Sequence, residues 1–195
     1  MTRQERLENL YSKYRESFTD REIVLGYGNI DTHLLLVGEA PGKDEVRLSR
    51  PFVGAAGKNL TEFLSIIGLH REDIYITNAI KYRLSKVNPQ TDRVVNRPAT
   101  KEDIIQNRQY LIDEIKIINP TFLVTLGNVP LKAITSDNSI NIGAVHGELR
   151  PAIIDGYEYK LFPLYHPASV IYNSSLKSIY VSDIEKLKEI INIRQ

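Results

Sequence analysis

Four short apolar runs constrain this chain most: HLLLVG at 33–38, DIYITNAI at 73–80, TFLVTLG at 121–127 and YKLFPLYH at 159–166, each bounded by Gly, Pro, Asn or Asp. Runs of that length and punctuation read as strands buried on both faces. Around them, residues 3–16, 57–67, 101–118 and 176–192 carry apolar side chains at three- and four-residue spacing, with stop signals at Gly68 and at Asn119-Pro120. Thr100 and Asp103 are spaced as a capping box. Such alternation predicts an α/β fold: a single-domain, three-layer α/β/α arrangement over residues 1–195 with a short, mainly parallel central sheet. Asp155-Gly156, between LRPAII and YEYKLF, predicts a tight hairpin.

Composition removes several function classes. The sequence contains no cysteine, which excludes disulfides, thiolate nucleophiles and thiolate-held metals, and its four histidines are too scattered for a zinc site. A net charge of +1 gives no global pull toward a polyanion, so charge has to be read locally. No apolar run approaches the roughly 18 residues of a membrane span, and the N-terminus is charged throughout, so a cytoplasmic protein without membrane contact is expected.

In a parallel sheet, ligands bind beyond the carboxyl ends of the strands. The four runs end on Gly38-Glu39-Ala40-Pro41-Gly42, Thr77-Asn78, Gly127-Asn128 and His166-Pro167-Ala168. A carboxylate, an amide and an imidazole thereby share one rim. A glycine-rich phosphate cradle is the competing reading of residues 37–57, but it would want Lys and a hydroxyl where Glu39 stands, and neither GxxxxGK[ST] nor GxGxxG occurs. Residues 81–97 hold Lys81, Arg83, Lys86, Arg93 and Arg97 against Asp92 alone. That segment reads as a phosphate track or, equally, as an ordinary solvated loop.

GEAPG, PFVGAAG, YITNAIK and HPAS, in this order and each at a strand end, resemble the motif series of the uracil-DNA glycosylase superfamily, specifically its fourth, iron-sulfur family. The resemblance covers nearly the whole chain. It implies hydrolysis of the N-glycosidic bond of uracil in DNA, with free uracil as product and an abasic site left behind. Glu39 and His166 would be the catalytic pair, Glu39 beside the sugar and the attacking water, His166 donating to uracil O2. Gly38, Ala40, Pro41 and Gly42 would shape the pocket, Phe52 would stack on the base and Asn78 would read its O4 and N3 edge. Glu45 matches a position expected to crowd the uracil C5 side. Contacts to DNA would come from Lys81, Arg83, Lys86 and Arg93, and from Ser169 and Tyr172 in HPASVIYNSSLK, where Tyr172 replaces the family's arginine. A non-catalytic DNA-binding or nucleotide-binding protein on the same scaffold, or a glycosylase for another deaminated base, are the alternatives. A monomer is expected.

The departure from the family falls in one place. Its members usually hold a [4Fe-4S] cluster on four cysteines; the matching positions here are Tyr11, Tyr14, Tyr82 and Asn107. No cofactor is therefore expected, and Tyr11, Tyr14 and Tyr82 are expected to pack together near Asn107 as an apolar, hydrogen-bonding plug. The other reading is a degenerate relative that lost its activity with the cluster. His146 receives no role.

Overall fold

The computed structural model describes residues 1–192. Thr2 caps α1 (Arg3–Ser17), with Glu5 returning its carboxylate to the cap amide. A two-residue edge strand β1 (Tyr27–Gly28) precedes β2 (Leu34–Gly38), the short helix α2 (Lys43–Leu48) and α3 (Ala55–Ile66). Next come β3 (Tyr75–Asn78), the strands β4 (Ser85–Val87) and β5 (Val94–Asn96), and α4 (Lys101–Ile118), capped by Thr100 and Asp103 as their spacing predicts. The second half runs β6 (Phe122–Leu126), α5 (Asn128–Thr135), α6 (Ile142–Val145), β7 (Arg150–Ile154), β8 (Tyr157–Leu164), α7 (Pro167–Tyr172) and α8 (Leu176–Asn192).

The main sheet has the order β1-β3-β2-β6-β8-β7. Its central pairs β3·β2, β2·β6 and β6·β8 are parallel, and the edge strands β1 and β7 run antiparallel. Side chains alternate across it. Leu35, Val37 and Leu123 point into a core closed by α1, α4 and α5, whereas Leu34, Leu36, Val124 and Phe162 point into a second core closed by α3 and α8. Burial on both faces is why these strands read as continuous apolar runs. The hairpin turns at Asp155 (φ +48°) and Gly156 (φ +83°), the left-handed pair of a type I′ turn.

Elements without a sequence expectation have local reasons. β1 is too short to show a pattern. Pro130 reads as a breaker, yet it sits in the first turn of α5, where a missing N–H leaves no bond unmade. Residues 81–97, expected as a loop, fold instead into the β4·β5 hairpin. No helix among the described residues is long and apolar enough to cross a membrane.

Candidate active site

The β2 and β3 ends are in register, Gly38 opposite Asn78. Pairing continues past them: the Ala79 N–H donates to the Gly38 carbonyl (2.8 Å) and the Ile80 N–H to that of Glu39 (3.0 Å). The backbone carrying Glu39 is thus fixed to the segment beyond Asn78. Burial pushes the Glu39 carboxyl above its ordinary range, with the Ala99 backbone amide acting against that rise. Pro41 is buried beside it, Ala40 packs against an aromatic cluster, and Gly42 opens α2.

Gly38 must lack a side chain. A Cβ there would overlap the Phe52 ring and the Asn78 amide oxygen at once, so the ring and the amide meet over this one Cα. Phe52 holds φ +54°, an uncommon conformation for a bulky residue, and is 5 % exposed. Its loop is held from behind by Arg71, whose guanidinium donates to the carbonyls of Pro51 (2.9 Å) and Phe52 (2.6 Å). From the front it is held by Glu45, whose carboxylate accepts the backbone N–H groups of Gly42 (3.1 Å), Val53 (3.1 Å) and Gly54 (2.8 Å). Both Glu45 oxygens are taken by backbone. Its first task is to join the GEAPG and PFVG loops, a role that its place in the sequence does not reveal.

His166 caps α7, its Nδ1 accepting the Ala168 N–H at 3.1 Å. In the neutral ring this puts the proton on Nε2, which is left as a donor. Burial pulls the imidazole pKa down to about 4, with Glu45 pulling weakly the other way. The ring centre lies 5.9 Å from that of Phe52. Gly127, at φ +95°, passes close to the His166 Cβ. A cavity of about 640 Å³ lies elsewhere, between α1, β1 and α3; it touches Phe52 and Val53 from behind and includes none of Glu39, Asn78 and His166.

Two of the basic residues need correction. Lys81 is 1 % exposed and paired with Glu114 at 2.7 Å, so it is not free to meet a phosphate. Arg83 is tied to Asn96 (3.1 Å) at the base of the β4·β5 hairpin, with only 10 % of its side chain exposed. Arg97, too, is engaged, in a two-pronged pair with Asp103 (2.6 and 3.0 Å). Lys86 and Arg93 stand exposed on the hairpin. Beyond His166, Ser169 is half-buried in α7, and Tyr172, 88 % exposed, ends that helix beside the exposed Ile171. His146, without a role in the sequence reading, binds the buried Asp183 through Nδ1 at 2.6 Å and ties α8 to the loop before β7.

The four positions matching cluster ligands carry phenols and an amide. Tyr14 donates to Asn107 Oδ1 and accepts the Lys81 N–H (3.0 Å); Asn107 Nδ2 donates to the Tyr82 hydroxyl (3.3 Å). Phe18 fills the remaining space, its ring 4.6 Å from Tyr14 and 5.1 Å from Tyr82. Tyr11 departs from the expected plug. It joins Tyr75 (2.6 Å) and Glu114 instead, because its hydroxyl points toward β3 and α4. These side chains do not fit an iron-sulfur cluster: the chain has no thiolate, and the polar atoms that stand there are hydrogen-bonded among themselves.

The model of a family described as the uracil DNA glycosylase superfamily matches residues 25–188. The chain is 37 % identical over 180 residues to a type-4 uracil-DNA glycosylase of Archaeoglobus fulgidus, covering 91 % of this chain and 86 % of that one. It is 38 % identical over 171 residues to the type-4 enzyme of Thermotoga maritima, covering 87 % and 83 %. For the Saccharolobus solfataricus enzyme of that type the figures are 34 % over 176 residues, covering 88 % and 77 %.

Proposed function

Since the chain belongs to the uracil-DNA glycosylase superfamily, we propose that the Glu39, Asn78 and His166 rim carries out that chemistry, releasing free uracil from DNA by hydrolysis of its N-glycosidic bond. One observation carries this assignment: His166 is half-buried at the strand end, its Nδ1 is occupied by the Ala168 amide, and its remaining nitrogen is a neutral N–H donor. As the C1′–N1 bond breaks, its electron pair goes to the base and positive charge builds on the sugar. The Nε2–H stabilises the growing charge at O2. Glu39 orients the water that attacks C1′, takes its proton and stabilises the cation. Asn78 offers a donor to O4 and an acceptor to N3–H; cytosine presents the opposite pattern, so its polar groups would be left unpaired. Phe52 supplies the stacking face, and the Glu45 linkage sets the pocket wall on the C5 side.

The direct test is a labelled oligonucleotide holding a single uracil, incubated with the protein and cleaved by alkali at abasic sites, with cytosine, thymine and hypoxanthine oligonucleotides beside it. Cleavage at uracil with release of the free base is expected. Cleavage at hypoxanthine alone would move the reading to another deaminated base, and binding without cleavage would leave a DNA-binding protein.

The pH profile separates the two groups. Because the His166 pKa lies near 4, its protonation takes nothing from the rate around 6.5, the ordinary histidine value. Glu39 must be ionised, and its carboxyl is raised above 4.5, so kcat falls as pH drops through that raised value. This acid limb should disappear in Glu39→Gln. A limb centred near 6.5 that vanishes in His166→Asn would reverse the assignment. Between about 4 and 6.5 the unfolded chain binds the His166 proton and the folded one does not, so the protein also loses stability as pH falls across that window.

A flipped base costs a few kcal/mol of unstacking, which backbone contacts must offset. Lys86 and Arg93 are the exposed cations for that purpose, with Ser169 and Tyr172 at the tip of α7 and Ile171 as a wedge. Reversing Lys86 and Arg93 to Glu should weaken binding to every DNA sequence alike. It should also flatten the plot of log affinity against log salt by roughly two, about one for each phosphate no longer neutralised. An unchanged slope would make the hairpin an ordinary solvated element.

A further inference from the structure

The side chain expected to meet DNA is instead part of a sealed assembly behind the rim. Lys81 Nζ donates to Glu114 Oε2 (2.7 Å) and to the backbone carbonyl of Asn78 (3.1 Å). The same Glu114 oxygen accepts the Thr77 hydroxyl (3.0 Å), while its other oxygen takes Tyr11 and, more loosely, Tyr75 (3.4 Å). Side-chain exposure of the pair is 1 % and 0 %. The ion pair therefore grips two consecutive residues, Thr77 and Asn78, where β3 ends. Lys81 is held in turn at its own backbone, its N–H donating to Tyr14 and its carbonyl accepting from Val24 (2.7 Å).

Stability alone is a poor reason for such a pair. Desolvating two charges costs several kcal/mol per ion, and apolar side chains of the same volume usually serve a core as well or better. What the pair provides is direction: opposite charges with few alternative partners fix the Asn78 carbonyl, and hence the plane from which its amide projects. Reading O4 against an exocyclic amine demands placement within about 0.5 Å. Resting on the glycosylase reading, we infer that Lys81 and Glu114 are positioning residues for base selection, acting through Asn78. The coupling extends to the catalytic carboxylate, since the Ile80 N–H, one residue before Lys81, holds the Glu39 carbonyl.

The test uses Lys81→Met, Glu114→Gln and the double substitution in the full chain. The single variants each leave a buried group without its partner and are expected to lose stability; the double variant removes both charges and should melt above either single variant. In that well-folded double variant, kcat on uracil DNA should fall by about ten- to a hundredfold with KM within about twofold, and the preference for uracil over cytosine should narrow. A second readout does not depend on catalysis: the Asn78 side-chain amide, expected to give one sharp pair of NH2 signals in the unsubstituted protein, should broaden or split in the double variant. A double variant that keeps its rate, its base preference and a sharp Asn78 signal overturns the inference. An unsubstituted protein that releases no uracil, together with an Asn78 signal that still broadens on substitution, overturns the glycosylase reading and leaves the positioning role standing.

Discussion

Glu39→Ala and His166→Ala are each expected to slow uracil release by roughly ten- to a thousandfold, the range set by removing one acid/base or charge-stabilising group from a preorganised site. Each tenfold corresponds to about 1.4 kcal/mol of transition-state stabilisation. The two losses have separate origins: Glu39 meets the cation and the water, His166 meets the anion of the leaving base. They should differ in character. Glu39→Gln keeps the shape of the loop but not the charge and should be nearly as slow as the alanine variant. His166→Asn retains an N–H donor and should recover part of the loss, provided the amide reaches where Nε2 stood. Single-turnover rates with enzyme in excess, together with unchanged circular dichroism spectra, decide the matter. Wild-type rates in both alanine variants would remove the rim from the mechanism, and a collapse of folding in Glu39→Ala would show that the carboxylate serves the loop first.

The order of the motifs along the sequence locates the rim because a parallel sheet makes that inference almost geometric: a residue just past an apolar run lies at the carboxyl end of a strand. Glu39, Asn78 and His166 are legible for that reason. Lys81 is not, since a lysine in a run of basic residues looks solvated, and only the fold shows that the chain turns inward there to meet Glu114. A signal is nevertheless present. Asn107, Leu111, Glu114, Ile115 and Ile118 share the buried stripe of α4, and a carboxylate on an apolar stripe demands a partner. The β4·β5 hairpin is illegible for a different reason: its strands have three residues each and only partial burial, so no alternation develops. Glu45 and Arg71 act on backbone groups of the PFVG loop, and bonds to the backbone leave no trace in side-chain pattern.

Tyr82→Ala is expected to lower stability by about 3 to 5 kcal/mol, the cost of truncating a large buried aromatic whose space cannot collapse. The ring is 2 % exposed and lies against Phe18, and its hydroxyl accepts from Asn107 and faces Asp103 Oδ1 at 3.4 Å. Collapse is resisted because each neighbour is bonded elsewhere: Asn107 to Tyr14 and to the Asp103 carbonyl, Asp103 to Arg97 and Thr100. Tyr82→Phe keeps the packing and removes only the hydroxyl, so it should cost about 1 to 3 kcal/mol, the penalty of leaving a buried donor short of a partner. The gap between the two variants is the informative result: both lose the hydroxyl, so if that oxygen held a metal Tyr82→Phe would be nearly as costly as Tyr82→Ala, whereas a packed plug keeps the two well apart. Urea denaturation midpoints compared at equal slope measure both. The same plug predicts a colourless protein whose uracil release survives strong chelators, since packing and hydrogen bonds hold α1 against the segment beyond Asn78. Stoichiometric iron in the purified protein, or a Tyr82→Ala variant less than about 1 kcal/mol weaker than the unsubstituted chain, would defeat the idea that the tyrosines hold this part of the fold together.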